Sequence, residues 1–303
     1  MPKKIFVTGA GGFVGSVLVN GFKDLNYEVH ALDKFYNYKI NKSPRIVIYK
    51  YDLQKFINNI KIKSVDYLIH AAAITNPKNK KIKKKLMDIN LSLILSSLNL
   101  AKKLNVKKYY FTSSTAIYGY HDNILEYDEN TKPILKNDYA ISKKIGEEIV
   151  REFCNSNNMD FKIFRFGNIY SGYEKISWSR SKASLIQKWI DTVNKGGIMK
   201  TDSFKTKRDW TYARDIPLVL NNIMSSKRKH PQIINLVSPF IKSDLQMMKI
   251  INKNMRPSNI SFKENKKYKN KIKPTCSKYL YKFKFTQWTS PEKAIKKIWD
   301  SNT

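Results

Sequence analysis

The chain has 303 residues, 42% of them hydrophobic and 13% aromatic; that is enough apolar material for one large α/β domain, or one with a smaller lobe built onto it, and it excludes a disordered composition. A formal net charge of +33 raises nucleic acid as a partner, because neutralising phosphates releases counterions. The lysines run along most of the chain beside many Asn, Ile and Tyr residues, the mix that an AT-biased coding sequence produces, so no specific nucleic-acid site is expected.

Residues 4–7 predict a first strand and 13–25 the helix after it; 27–32 predict a second strand and 45–49 a third. Residues 65–70 form a fourth, running into Ala71-Ala72-Ala73. A long amphipathic helix is expected over 86–104, a fifth strand over 107–112, a helix over 138–156 and a sixth strand over 161–166. Such alternation is the mark of βαβ units and a parallel sheet. Beyond Gly167 it breaks up into short strands, loops and helices near 184–193 and 216–224, which suggests a smaller lobe. Two denser lysine clusters, at 78–85 and 263–273, read as solvated surface. No apolar run approaches the ~18 residues that would span a bilayer. No membrane partner and a cytoplasmic location are therefore expected. Cys154 and Cys276 show no metal-ligand spacing and no reason to pair, so no metal is expected.

At the junction of the first strand and first helix stands Val7-Thr8-Gly9-Ala10-Gly11-Gly12-Phe13-Val14-Gly15. Small residues are needed where the chain turns sharply, the backbone approaches a pyrophosphate and the helix lies close on the sheet. Backbone N–H groups at the helix N-terminus then hold the anion. Asp33 ends the second strand, where a carboxylate accepts hydrogen bonds from a ribose 2′-hydroxyl and repels a 2′-phosphate. NAD is thus favoured over NADP, although Lys34 beside it could tolerate a phosphate. Asp52-Leu53 reads equally as a helix N-cap or an adenine contact. These features give the expected fold class: α/β, a Rossmann-type doubly wound parallel sheet with a smaller C-terminal α/β substrate lobe. Residues 1–167 would form the NAD-binding unit, with segments around 208–240 returning to it, and most of 168–303 would form the lobe.

Tyr139 and Lys143 are four residues apart on a predicted helix and so share one face. A phenol normally titrates near pH ~10 and is a poor base at neutral pH. An ammonium held beside it would lower that value. At the end of the fifth strand, Thr112-Ser113-Ser114-Thr115 offers hydroxyls in the crevice where open α/β sheets bind ligands.

With these residues in this order, the sequence resembles the extended short-chain dehydrogenases, in their NAD-dependent epimerase/dehydratase branch, over nearly its whole length. Thr8 to Gly15 matches the branch's Thr-Gly-x-x-Gly-Phe-x-Gly turn, and His70 to Ala73 the segment beneath the nicotinamide, with Asn90 following on its helix. Ser113 to Gly119 matches Ser-Ser-x-x-x-Tyr-Gly, making Ser114 the active-site hydroxyl, and Tyr139 and Lys143 match Tyr-x-x-x-Lys. The resemblance implies a catalytic trio of Ser114, Tyr139 and Lys143. It also implies a cofactor set of Gly9, Gly11, Gly12, Phe13, Val14, Gly15, Asp33, Lys34, Asp52, Leu53, Ala71, Ala72, Ala73, Asn90, Thr112 and Phe166, with Tyr139 and Lys143 shared. On the substrate side it implies Ser114, Thr115, Asn168, Arg208 and Arg256, from segments similar to Arg-x-x-Asn-x-Tyr, Arg-Asp-Phe-x-x-Val-x-Asp and Arg-Pro. Arg208 would clamp the substrate diphosphate, a task suited to a guanidinium fork. Tyr170-Ser171-Gly172 lacks the usual Gly-Pro, and Thr201-Asp202-Ser203-Phe204 replaces a Gly-Asp-Gly turn, which leaves the sugar and its nucleotide open.

Dehydratases of the branch carry an Asp-Glu pair just after the active-site hydroxyl, and its decarboxylases a Glu. Here Thr115-Ala116 stand there, and neither works as acid or base near pH 7. The plain redox centre that remains implies epimerisation of a nucleotide sugar, as in the 4-epimerases, by transient oxidation at a hydroxyl carbon. One-way reduction or dehydrogenation of a sugar by the same residues stays open. A non-catalytic NAD-binding protein associated with nucleic acid is the more distant reading, against which an intact trio argues. The resemblance also implies a homodimer built from helices flanking the tyrosine helix.

Overall fold

Short apolar runs with both faces covered make strands here, and capped amphipathic segments make the helices between them. The structure is a computed structural model that describes residues 2–226, 231–255, 260–265 and 272–301. In chain order come β1 (Lys4–Thr8), α1 (Phe13–Asp24), β2 (Glu28–Asp33), β3 (Ile46–Lys50), α2 (Leu53–Phe56), β4 (Tyr67–His70), α3 (Lys80–Lys84), α4 (Leu86–Lys103), β5 (Lys108–Ser114), α5 (Asp138–Ser156) and β6 (Asp160–Phe166). Then follow β7 (Asn168–Tyr170), α6 (Leu185–Asn194), β8 (Met199–Thr201), β9 (Lys207–Tyr212), α7 (Asp215–Ser225), β10 (Ile233–Leu236), β11 (Ile241–Ser243), α8 (Asp244–Asn254), β12 (Phe262–Glu264) and α9 (Pro291–Asp300).

Among the described residues, seven strands form one sheet in the order β10-β6-β5-β4-β1-β2-β3, every pair parallel. Strand order reverses between β1 and β4, so a crevice opens beyond their adjacent C-terminal residues, Thr8 and His70. Successive side chains serve opposite faces: Ile5 and Val7 join the core under α1 and α7, while Phe6 joins the one under α4 and α5. Burying each such side chain contributes about 1.5–3 kcal/mol. Among the described strands, the edge strand β3 alone turns large apolar residues outward, with Val47 and Ile48 exposed.

A third core, around Trp189, Trp210, Met247 and Ile298, unites α6, α8 and α9. The three-stranded sheet β11-β9-β7 and the pair β12-β8 border it. Within the stretch expected to return to the large sheet, only β10 pairs there, on β6; Lys207–Tyr212 pairs with β7 and β11 instead. The lysine cluster at 78–85 contains a helix that charge alone did not announce: Asn79 caps α3 by accepting from the Lys81 and Ile82 amides.

Candidate active site

The turn after β1 is built for close approach. Gly9 sits at φ 73°, and a Cβ there would strike the Ala72 backbone at the end of β4. A Cβ on Gly15 would strike the Gly9 carbonyl, which brings α1 down onto the turn. The N-cap of α1 is Gly12, with no side-chain cap, so the helix's first amides are left for an anion. Gly12, Phe13, Val14 and Gly15 line a cavity of about 320 Å³ that also holds Ala71, Ala73, Thr112, Ser114, Tyr139, Lys143 and Phe166. It runs into a second cavity of about 450 Å³ lined by Gly9, Gly12, Asp33, Lys34, Asp52, Leu53, Ala71, Ala72 and Ala73. Together they make one cleft along the strand ends.

Two expected cofactor residues stand behind the cleft instead. Gly11 lines neither cavity; its N–H donates to Asp33 Oδ2 at 3.0 Å and so aims the carboxylate. Asn90 is buried in α4, where its amide accepts from Ile74 N (2.8 Å) and donates to Ile74 O (3.0 Å) and Ser142 Oγ (3.1 Å). It braces the segment after β4 against α5. Asp33 also accepts from Phe35 N at 3.1 Å, and burial pushes its carboxyl up from the ordinary value while these amides pull it back. Asp52 caps α2, accepting from Gln54 N at 3.1 Å, and its residue also lines the cleft. Lys34 Nζ lies 4.0 Å from Asp52 Oδ2, drawn toward that carboxylate. An uncapped helix terminus beside a strand-end carboxylate, along a continuous cleft, fits a dinucleotide with a free 2′-hydroxyl.

At the other end of the cleft, α5 and β5 place the redox residues. Asn137 caps α5 by accepting from Ala140 N (2.9 Å), which starts the helix just ahead of Tyr139. The Tyr139 phenol and the Ser114 hydroxyl line this end of the cleft together, and Lys143 Nζ donates to Thr112 O at 2.6 Å, 5.8 Å from the Tyr139 ring centre. Ser114 Oγ in turn accepts from Ala116 N at 3.2 Å. Burial brings the Lys143 ammonium down to about 7, opposed by the Glu147 carboxylate one turn further along α5. Lys143, the ammonium expected to lower the phenol, is not among the protein groups that pull it down. Burial pushes Tyr139 up from its ordinary value, and the groups pulling it down are the Ser114 hydroxyl and the charge of Arg180. The reason is geometric: Lys143 is spent on a backbone carbonyl, deep enough to lose much of its own charge.

On the substrate side, Asn168 and Arg208 come together in an adjoining pocket, which shares Gly167, Ile169 and Arg180 with the cleft. Asn168 Nδ2 donates to Asp209 Oδ1 at 3.1 Å, and Arg208 Nε to Asp244 Oδ1 at 2.8 Å. Asp209 is buried, and its carboxyl is pushed up to about 6. Arg208 is thus held by a buried carboxylate, with its face on Trp210 at 5.8 Å. Thr115 opens a 3-10 turn and lines none of these cavities. Arg256 lies outside the described residues. Sequence reasoning missed the segment 173–182, which crosses the cleft and brings Lys175, Ser177, Ser179 and Arg180 to its lining. The available signal was an arginine set among serines, Ser177-Trp178-Ser179-Arg180-Ser181, just past the place where the usual Gly-Pro is missing.

A wholly parallel sheet of reversed strand order, a glycine turn at its switch point and a Tyr/Lys/Ser group at the end of β5 define an enzyme of the extended short-chain dehydrogenase class. Residues 5–236 match the NAD dependent epimerase/dehydratase family, and the chain belongs to it. It is 30% identical over 240 residues to a Methanocaldococcus jannaschii protein described as a candidate UDP-glucose 4-epimerase, covering 77% of this chain and 76% of that one. In structure it is similar to a UDP-N-acetylglucosamine 4-epimerase from Methanobrevibacter ruminantium (TM-score 0.80, 22% identity, 99% of each chain covered). It is also similar to a UDP-glucose 4-epimerase from Thermus thermophilus solved with NAD (TM-score 0.79, 19% identity, 98% of each chain). Among the described residues no helix is long and apolar enough to cross a membrane, and no three His, Cys, Asp or Glu side chains gather as a metal site.

Proposed function

We propose that the protein interconverts two epimers of a nucleotide-linked sugar, at C4 as in the relatives' names, with NAD as resident cofactor. One observation carries the reading: Ser114, Tyr139 and Lys143 line the nicotinamide end of a dinucleotide cleft that opens into the Asn168/Arg208 pocket. Bound NAD supplies a hydride acceptor and donor. Tyr139 takes the proton of a sugar hydroxyl as the hydride leaves its carbon, and Ser114 holds the oxygen. Lys143 keeps the phenol and the cofactor's ribose in register. The resulting keto sugar turns over and takes hydride on its other face, with Tyr139 returning the proton. Arg208 holds the diphosphate and Asn168 the sugar nucleotide. The covered cleft supports epimerisation over one-way redox, since a cofactor regenerated in place has no need to leave.

The large sheet would serve the cofactor, and most of 168–303 the substrate. A homodimer through helices flanking the tyrosine helix belongs to the same reading, supported by Leu95, an exposed apolar residue on the neighbouring α4.

The test is a panel of UDP-, GDP- and dTDP-sugars with the purified protein, following product and NADH absorbance together. An epimer forming without net NADH is expected. Stoichiometric NADH change would make the protein a dehydrogenase or reductase. Tyr139→Phe is expected to abolish turnover while retaining NAD, and normal turnover by that variant would remove Tyr139 from the mechanism.

A further inference from the structure

The segment 173–182 is tied down on both sides of the cleft. Lys175 N donates to Tyr38 Oη (2.7 Å), which donates back to Lys175 O (3.1 Å). Thr75 N and Asn76 N both donate to Ser179 O, at 3.0 and 3.1 Å, and Ser181 N donates to Asn76 O at 2.8 Å. Those bonds pin the backbone on either side of Arg180. Its side chain is fixed as well: the guanidinium lies 5.1 Å from the Phe13 ring centre, Nη2 donates to Glu174 Oε2 (2.6 Å) and Nε to Lys182 O (3.2 Å). Glu174 is itself buried and accepts from Ser184 N (3.0 Å) and Ser184 Oγ (2.5 Å). A pre-aimed guanidinium therefore stands where the Tyr139 cleft meets the Asn168/Arg208 pocket, lining both.

We propose that Arg180 is a positioning residue for the proton step: its charge, carried across the cleft by the strap 173–182, stabilises the Tyr139 oxygen as an anion. The inference rests on Tyr139 acting as the base of the proposed reaction. The charged groups that face the phenol are few. Lys143 comes from its own helix, and Lys175 and Arg180 from the strap. The end of β5 and the first turn of α1 bring no charged side chain, and burial keeps His70, at the end of β4, neutral. Tyr38 is the other titratable group in the lining, and burial pushes it up. Glu174 does not line the cleft, so Arg180 presents the nearer end of the pair to Tyr139. Consistent with this, Arg180 pulls the phenol down where burial pushes it up.

The test follows tyrosinate absorbance of the NAD-loaded protein against pH, subtracting Tyr139→Phe to isolate one phenol. Arg180→Met is expected to raise the midpoint by about one pH unit, and to lower kcat at pH 7 about tenfold with a smaller change in KM. Glu174→Gln, which unmasks the arginine, is expected to lower the midpoint. Opposite signs are the signature; a role confined to holding the strap would move both variants the same way. An unmoved midpoint in Arg180→Met, or a loss confined to KM, would overturn the proposal. If Arg180→Met does not fold, Glu174→Gln decides alone, a downward shift supporting the proposal and any other result overturning it. A phenol that behaves as expected in a protein that turns over no sugar nucleotide would sink the functional reading and leave the assignment of Arg180 standing.

Discussion

Lys143 shows how the site trades stability for chemistry. A primary amine ordinarily titrates near ~10.4, and in this fold it is brought to about 7 by burial. Its folded value is depressed, so the unfolded chain binds the extra proton. The resulting penalty is full below pH 7 and shrinks as pH rises toward the unfolded value. Lys143→Met is therefore expected to be more stable than the wild type at pH 6, by a few kcal/mol in order of magnitude. The advantage should fade steadily above pH 7. Paired melting curves of the cofactor-free proteins check this, and a pH-independent difference would contradict the assigned burial cost. Ser114 makes the complementary case, because its hydroxyl lines the cleft beside the phenol as well as capping the turn that follows β5 through Ala116 N. Ser114→Ala should lower kcat about a hundredfold, the scale seen when one donor to a reacting oxygen is removed, while the lost bond to Ala116 N costs only about 1 kcal/mol of stability. These residues were legible in the sequence because helical period and strand-end position fix their neighbours: Tyr139 and Lys143 four apart, Ser114 at a strand terminus. Gly11 and Asn90 do not line the cleft, since a motif gives proximity and not the direction in which an amide points.

Six of the large sheet's seven strands were legible to within two residues, β10 being the one without a strand expected for it. Their apolar runs and caps are local signals, as in α5, where Asn137 and Asp138 announce the start. The strap 173–182 was not, because its structure comes from partners more than a hundred residues away. Lys175 depends on Tyr38, and Ser179 on Thr75 and Asn76. Nothing within the segment's own sequence encodes those bonds. Tyr38→Phe removes the hydroxyl that both accepts and donates there, and two bonds of about 1 kcal/mol each correspond to roughly tenfold or more faster release of NAD. Stopped-flow displacement of the cofactor measures it, and an unchanged release rate would mean that the strap does not gate the cleft. Behind the redox residues, α5, β5 and β6 are locked by Glu147. Its carboxylate accepts from Ser113 Oγ at 2.6 Å and from Arg165 Nε and Nη2 at 2.8 and 2.7 Å, all buried. Removing one partner of such a pair strands the other's charge, so Glu147→Ala should cost about 3–5 kcal/mol. Denaturant unfolding at neutral pH gives that number directly.

At the scale of the molecule, a net charge of +33 must be either balanced or endured. The ion pairs found among the described residues leave α3 and its flanks uncompensated. Lys78, Lys80, Lys81, Lys83, Lys84 and Lys85 are all exposed, and Ile82 between them lines the cleft at its Asp33/Asp52 end. This places a positive rim at the Asp33/Asp52 end of the cleft, with a field that reaches an approaching anion before contact. Self-repulsion among such charges opposes folding, whereas their field draws a nucleotide sugar inward, and salt screens both over a Debye length of ~8–10 Å. The two consequences run in opposite directions. Raising salt from ~0.02 to ~0.5 M should raise the melting temperature while lowering kcat/KM for an anionic substrate. Replacing Lys80, Lys81, Lys83 and Lys84 with Gln should flatten the salt dependence of kcat/KM and leave kcat at saturation unchanged, because these side chains touch neither Tyr139 nor its partners. If the variant keeps the full salt dependence, the steering field comes from charge spread over the whole surface, and the lysine helix is no more than solvated exterior.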